Sequence, residues 1–166
     1  MTGTGKRYNA AILIASDRSF SKLREDATGS VLEKRLEELG FNVVHNVILP
    51  DEEAKIAALL NSWVKGPEIN LIITSGGTGP APTDVTPDAT LKIIDRRIPG
   101  IEETMRRESM RSTPNAMLSR AVAGIASKSL IINLPGNPKG ALENLNVVAP
   151  ALPHALDLIN GVNADQ

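Results

Sequence analysis

This sequence predicts an α/β fold in which helices cover both faces of a mostly parallel central sheet. Three observations predict it. The runs AAILIA (10–15) and INLIITS (69–75) are short, apolar and rich in β-branched residues, as strands buried on both faces are. Between such runs lie stretches whose apolar residues recur at helical spacing. Strands joined through helices must cross over, and the crossover pairs them in parallel with a right-handed connection.

Taken in order, Tyr8 to Ala15 forms the first buried strand. A polar loop with Ser16, Asp17 and Arg18 runs to about Ala27. The segment TGSVLEKRLEELG then places Leu32, Leu36 and Leu39 on one helical face, with Gly40 as a C-terminal stop. Asn42 to Leu49 is a second strand. Pro50 and Asp51 open another helix, with Asp51 read either as its N-cap or as a site residue. Ile56, Leu59, Leu60, Trp63 and Val64 make the apolar stripe of that helix. After the Gly66-Pro67 turn comes the third strand.

The second half is less regular. A helix is expected near Pro87, capped by Thr86, interrupted at Pro99-Gly100 and resumed through IEETMRRESMR. KSLIINLP is a further strand ending at Pro135. In the tail, residues from Leu142 to Ile159 keep helical spacing, and Pro150 and Pro153 divide it into two pieces or kink it. No repeat or low-complexity linker divides the chain, so residues 1–166 are expected to be one domain.

Composition narrows the function. Of 166 residues, 42% are hydrophobic and 22% charged, the balance of a globular soluble protein. A net charge of −1 supplies no field to hold a nucleic-acid backbone or an anionic membrane. The aromatic residues are Trp63, Tyr8, Phe20 and Phe41, too few for base-stacking platforms. Nucleic acid and membrane are therefore not expected partners. The absence of cysteine excludes disulfides, iron–sulfur ligation and thiolate zinc sites. The apolar run at the start is too short for a secretory core or a span, and a cytoplasmic protein is expected.

The sharpest local feature is TSGGTGPAPTDVTP (74–87), which leaves a buried strand and enters a helix. Open α/β sheets bind ligands at that edge. Gly76, Gly77 and Gly79 allow positive φ and bring backbone N–H groups close to an anion, while Ser75, Thr78 and Thr83 add hydroxyl donors. Neither a Walker loop nor the G-x-G-x-x-G pattern is present, so a purely structural glycine turn also fits. Asp84 lies two residues ahead of the expected cap and has no evident structural duty. A carboxylate beside an anion site is repulsive unless a divalent cation or a transferred proton uses it. The loop NLPGNPKG (133–140) leaves the sheet at the equivalent place, as does Ser16-Asp17, and together they make a cleft rather than a single turn. His45 and His154 have no second ligand nearby in sequence. Arg96, Arg97, Arg106, Arg107 and Arg111 form a basic stretch that suits surface salt bridges or steering of an anion.

The run SGGTGPAPTDVTPDAT, followed by TPNAMLSRAVAG and LIINLPGNPKGA, resembles the molybdopterin adenylyltransferase family, which includes MogA, MoaB and the G domain of gephyrin. ILIASD and VILPDE are similar to that family as well, so the resemblance spans nearly the whole chain. It implies a three-layer α/β sandwich, usually a homotrimer, that transfers AMP from Mg-ATP to the terminal phosphate of molybdopterin and releases pyrophosphate. The product would pass to a molybdenum-insertion protein. By motif position, Gly76, Gly77, Thr78 and Gly79 would line the nucleotide and phosphate site, with Ser16, Asp17 and Ser75 beside them. Asp84 would be the principal catalytic carboxylate and would bind Mg²⁺, and Asp51 would be a second acidic residue. Ser119 and the run Pro135, Gly136, Asn137 and Pro138 would hold pterin or nucleotide.

One departure stands out. Many members of the family carry arginine directly before the aspartate of D-V-T-P, where this chain has Thr83. Lys139 and Arg120 are the candidates to supply the missing cation. The departure keeps alive a second function, a non-catalytic molybdopterin-binding paralogue or scaffold, and a third, a domain detached from a molybdenum-insertion protein. Met105, Met110, Met117 and Leu118 are candidates for burial in a subunit contact or in the core.

Overall fold

In β1 (Asn9–Ala15) successive side chains serve two different helical layers. Ala10, Ile12 and Ile14 join one apolar cluster, and Ala11, Leu13 and Ala15 join the other. That is the period-2 alternation of a strand buried on both faces. The computed structural model describes residues 8–22 and 26–162.

The chain continues through a short helix α1 (Asp17–Phe20), α2 (Ala27–Glu38), β2 (Asn42–Leu49), α3 (Glu53–Lys65) and β3 (Leu71–Ser75). It then forms α4 (Thr86–Leu91), β4 (Arg96–Arg97), α5 (Pro99–Met110), β5 (Ala123–Ala126), β6 (Ser129–Leu134), α6 (Pro138–Val148) and α7 (Leu152–Ile159). The six strands form one sheet in the order β2-β1-β3-β6-β5-β4. β1 pairs in parallel with β2 and β3, and β3 with β6. The expected mostly parallel sheet is present.

Leu32 and Leu36 of α2 pack on one face with Leu145 of α6 and Leu156 of α7. Ile56, Leu60 and Trp63 of α3 pack on the other with Ala89 of α4. α2 and α3 fall on opposite faces because the chain moves from β1 to β2 in one direction and returns past β1 to β3 in the other, and right-handed crossovers then alternate sides. The result is the expected three-layer sandwich.

Several details depart from expectation. Pro99 begins α5 rather than interrupting a helix, and the break lies at 92–98, where β4 runs. β4 and β5 are antiparallel additions with no counterpart among the strands expected from the sequence. β5 is only four residues, and its hairpin turn uses Ser127 at φ 54 in place of the glycine or asparagine that would advertise it. Thr86 does not cap α4; Val85 holds that position without a side-chain bond, and Thr86 is buried inside the first turn. The cap of α2 is Asp26, which accepts from Gly29 N–H. Met105 lies in the core, whereas Met110, Met117 and Leu118 are exposed. Asn133 sits fully buried where β6 meets α4. Its amide donates to the hydroxyls of Thr74 and Thr90 at 2.8 and 3.0 Å, and its oxygen accepts from Val122 N–H at 3.2 Å.

Candidate active site

The strand order reverses around β1 and β3, so their carboxyl ends open a crevice between diverging loops. Gly76 is the point where three chain segments meet. Its φ is 96°, and a Cβ on it would be driven into the Ala15 carbonyl oxygen. Its N–H donates to the Leu134 carbonyl at 3.1 Å, and a Cβ on Gly136 would come within 3.2 Å of its Cα. Only glycine fits there, because a side chain would push apart the ends of β1, β3 and β6. Gly77, at φ 65°, backs onto Thr86 Oγ1 and Asp51 Oδ1, which a Cβ would approach to 2.6 and 3.2 Å.

In front of these glycines is a cavity of about 370 Å³, lined among others by Ser16, Asp17, Asp51, Gly76, Gly77 and Thr83. Ser75 also borders it, but its hydroxyl is engaged: it donates to the Pro135 carbonyl at 2.8 Å. Ser75 therefore ties two loops together, with its hydroxyl proton already committed. Thr28 Oγ1 adds a second tie, to the Gly136 carbonyl at 3.2 Å.

Asp51 does not cap α3. Glu52 occupies that position without a side-chain bond, and Asp51 instead reaches across to the β1 loop. Asp17 N–H donates to Asp51 Oδ2 at 3.1 Å, and Asp51 N–H donates to Asp17 Oδ1 at 2.8 Å. This reciprocal pair fixes the ends of β1 and β2 to one another. Asp51 Oδ1 and Thr86 Oγ1 are buried and have no hydrogen-bond partner among the described residues. Burial pushes the Asp51 carboxyl above its usual range, and the charges of Asp17 and Asp84 push the same way against the bond from Asp17 N–H. Asp84 is half-buried, close enough for its charge to act on Asp51. It does have a local duty, since its Oδ2 accepts from Ala81 N–H at 3.0 Å and closes the loop on itself. Among the described residues, no group of three or more histidine, aspartate or glutamate side chains is arranged to hold a metal by itself.

A second cavity, of about 520 Å³, adjoins the first along the β6 loop. Thr78, Gly79, Arg106, Ser119, Asn144 and Lys139 are among the residues that line it, and Asn137 borders both cavities. Asn137 is also the N-cap of α6, its oxygen accepting from Gly140 N–H at 2.6 Å, with Pro138 in the first helical turn. Ser119 Oγ accepts from Ala121 N–H at 3.2 Å, and its carbonyl takes a bond from Arg106 at 3.2 Å. Buried Glu102 holds Arg97 bidentately at 3.0 and 2.7 Å, with Arg106 at 3.6 Å and Ala123 N–H also on it. The arginines of the basic stretch therefore divide: Arg97 and Arg106 serve this buried carboxylate, and Arg111 pairs on the surface with Glu108 at 3.2 Å.

The two residues considered as replacements for the missing cation also divide. Arg120 is committed to Asp88 and to loop carbonyls, while Lys139 is 82% exposed, with Glu143 at 3.9 Å. His45 is accounted for by packing, its ring stacked on Trp63 at 5.6 Å between centroids. Glu102 had no local signal in the sequence and reaches the larger cavity by tertiary packing, whereas Arg106 was legible only as part of a basic stretch and Thr86 only as an expected cap.

The chain matches a family model described as "Probable molybdopterin binding domain" over residues 11–154. It is 43% identical to the molybdopterin adenylyltransferase of Helicobacter pylori over 152 residues, 90% of this chain and 86% of that protein. It is 42% identical to gephyrin of Dictyostelium discoideum over 93% of this chain, which corresponds to 23% of that longer protein. Among solved structures, the molybdopterin biosynthesis enzyme MoaB of Thermus thermophilus superposes with a TM-score of 0.87 at 45% identity. That match covers 93% of this chain and 97% of the other. The Mog protein of Mycobacterium ulcerans does so with a TM-score of 0.88 at 39% identity, over 95% and 99%. The glycine cradle, the acidic cluster behind it and the paired cavities thus stand on the fold these relatives share, and the chain belongs to the molybdopterin-binding domain family.

Proposed function

We propose that this protein is a molybdopterin adenylyltransferase that transfers AMP from ATP to the terminal phosphate of molybdopterin. The observation that carries this reading is the pair of cavities meeting at Asn137, with the Gly76–Gly77 cradle and the Asp17 and Asp51 carboxylates on the smaller one and the Asp84 charge acting on Asp51. Transfer between two bulky substrates needs two adjoining pockets and a shared anion site between them. A terminal phosphate oxygen of molybdopterin attacks the α-phosphorus of ATP. The bond from that phosphorus to the bridging oxygen breaks, and pyrophosphate leaves.

The residues present fit a magnesium ion. Mg²⁺ is commonly held by one or two carboxylates completed by substrate phosphates, so a three-residue protein cage is not required. The partnerless Asp51 oxygen and the mutual repulsion of the carboxylates are what a cation would relieve. Asp84, with Asp51 beside it, would hold the ion, which supplies charge neutralisation at the phosphates. The chain's own part is alignment. Backbone N–H groups of Gly77 to Gly79 would meet the phosphates, while Gly76 N–H stays on the Leu134 carbonyl; the Asp17–Asp51 pair fixes the cavity wall, and Ser119, Arg106 and Asn144 hold the pterin in the larger cavity. Lys139, at the entrance of that cavity, supplies a cation to the phosphate that Thr83 cannot.

The exposed apolar side chains of Met110, Met117 and Leu118 support a homotrimer, and light scattering that gave a monomer at micromolar concentration would reject it. A cytoplasmic location and delivery of the product to a molybdenum-insertion protein belong to the same reading.

The test is pyrophosphate release from the purified protein with molybdopterin, ATP and Mg²⁺. Release that depends on all three is expected, and Asp84→Ala should abolish it while circular dichroism stays unchanged. Molybdopterin binding without any release would instead favour the non-catalytic paralogue, with Thr83 as the first residue to change to arginine.

A further inference from the structure

We propose that Arg120 is a positioning residue that sets the shape of the glycine loop, and through it the placement of Asp84, in the adenylyl-transfer reaction proposed above. The loop from Gly76 to Val85 carries the catalytic carboxylate, yet Pro80 to Thr83 are exposed and bury nothing in the core. Its internal bonds are local. Asp84 N–H donates to the Ala81 carbonyl at 2.9 Å, and Thr86 N–H donates to the Gly77 carbonyl at 3.2 Å. Such a loop needs an outside anchor to hold one conformation, because backbone fixation costs about 1–2 kcal/mol per residue.

Arg120 is that anchor. Its backbone N–H donates to the Thr78 carbonyl at 2.8 Å, and its Nε donates to the Gly79 carbonyl at 2.9 Å. Nη2 donates to the carbonyl of Asp84 itself. Nη1 and Nη2 together grip Asp88 in the first turn of α4, at 3.1 and 2.9 Å. One planar group thus spans the start of the loop, its catalytic end and the helix that follows. Its base is rigid, because Ala121, Val122 and Ala123 directly after it are buried. Lysine has the charge but not the fork, and could satisfy one of these partners at a time. Asp88 keeps the guanidinium in place and neutralises it, so the cation is not offered to a phosphate. The bond from Arg120 in turn holds the Asp88 carboxyl below its usual range.

The test uses Arg120→Lys and the isosteric Asp88→Asn in the full chain. Misplacing a catalytic group by about 1 Å costs up to roughly 100-fold in rate. Each variant should lower kcat about 10- to 100-fold with KM for ATP changed less than about threefold, the split expected of an effect on the reacting geometry. The double variant should be no worse than the poorer single one, since both break the same clamp. Hydrogen exchange at the 79–85 amides, which needs no substrate, should quicken about tenfold in Asp88→Asn. A rise in KM with kcat unchanged would overturn the proposal, because the guanidinium would then be binding substrate. Unchanged exchange and unchanged kcat would overturn it too. If exchange quickens but the wild type releases no pyrophosphate, the clamp stands as the device that shapes the loop and the adenylyltransferase reading is what fails.

Discussion

Replacing Gly76 by alanine separates two costs that glycine avoids, if the same change at Gly40 serves as the control. Gly76 and Gly40 have nearly equal φ, at 96° and 92°. Both variants therefore bear the strain of placing an L-residue in the left-handed region, about 1–2 kcal/mol. At Gly40 nothing lies within 4 Å of the added methyl, so strain is the whole effect. At Gly76 the methyl meets the Ala15 carbonyl, which cannot retreat. Ala15 is registered opposite Leu49, and Ser16 N–H donates to the Leu49 carbonyl at 2.9 Å. Overpacking against fixed structure adds about 1–3 kcal/mol. With a urea slope of about 2 kcal/mol/M, the midpoint should fall by about 0.5–1 M for Gly40→Ala and about 1–2.5 M for Gly76→Ala. Equal shifts in the two variants would refute the argument that close approach of β1 and β3, rather than φ alone, demands glycine at the cradle.

Asp51→Asn should be stabilising at neutral pH in metal-free buffer. Because burial raises the Asp51 carboxyl, its contribution to stability is full below the unfolded carboxylate range near about pH 4 and is lost as pH rises through the raised folded value. The melting-temperature advantage of the variant should therefore shrink from pH 7 towards pH 4, and a constant difference would refute the assignment. Tyr8, the one tyrosine of the chain, donates to Asp157 at 2.5 Å and has its phenol pushed up to about 12, first by burial and then by that carboxylate. Its stabilisation is present below about pH 10 and is lost as the pH climbs towards 12. An absorbance titration should show this, with Asp157→Asn moving the transition down; a wild-type transition near pH 10 would remove the bond from consideration. Asn133→Ala strands three buried partners and should cost about 2–4 kcal/mol in urea unfolding. A loss below about 1 kcal/mol would mean the network contributes little.

The sequence by itself determined the fold class and the edge of the sheet that carries the site. AAILIA, INLIITS and the stripe from Ile56 to Val64 state their periods locally, and a period of 2 or 3.6 needs no partner to be read. The glycines after β3 and the proline-glycine run after β6 were legible for the same reason, since turns are chosen by their own residues. Local reading failed where a residue acts on something distant. Asp51 looks like a helix cap in sequence and is a cross-loop partner of Asp17, 34 positions away. Ser75 looks like a ligand donor and is bonded to the carbonyl of Pro135, 60 positions on. The short antiparallel pair β4 and β5 has too few residues to show a period, and exists because β6 leaves an edge to be covered. Only the tertiary structure decided that Arg120 grips Asp88 rather than facing an anion, because the order of strands, which no local pattern encodes, is what brings two residues 32 positions apart within a hydrogen bond.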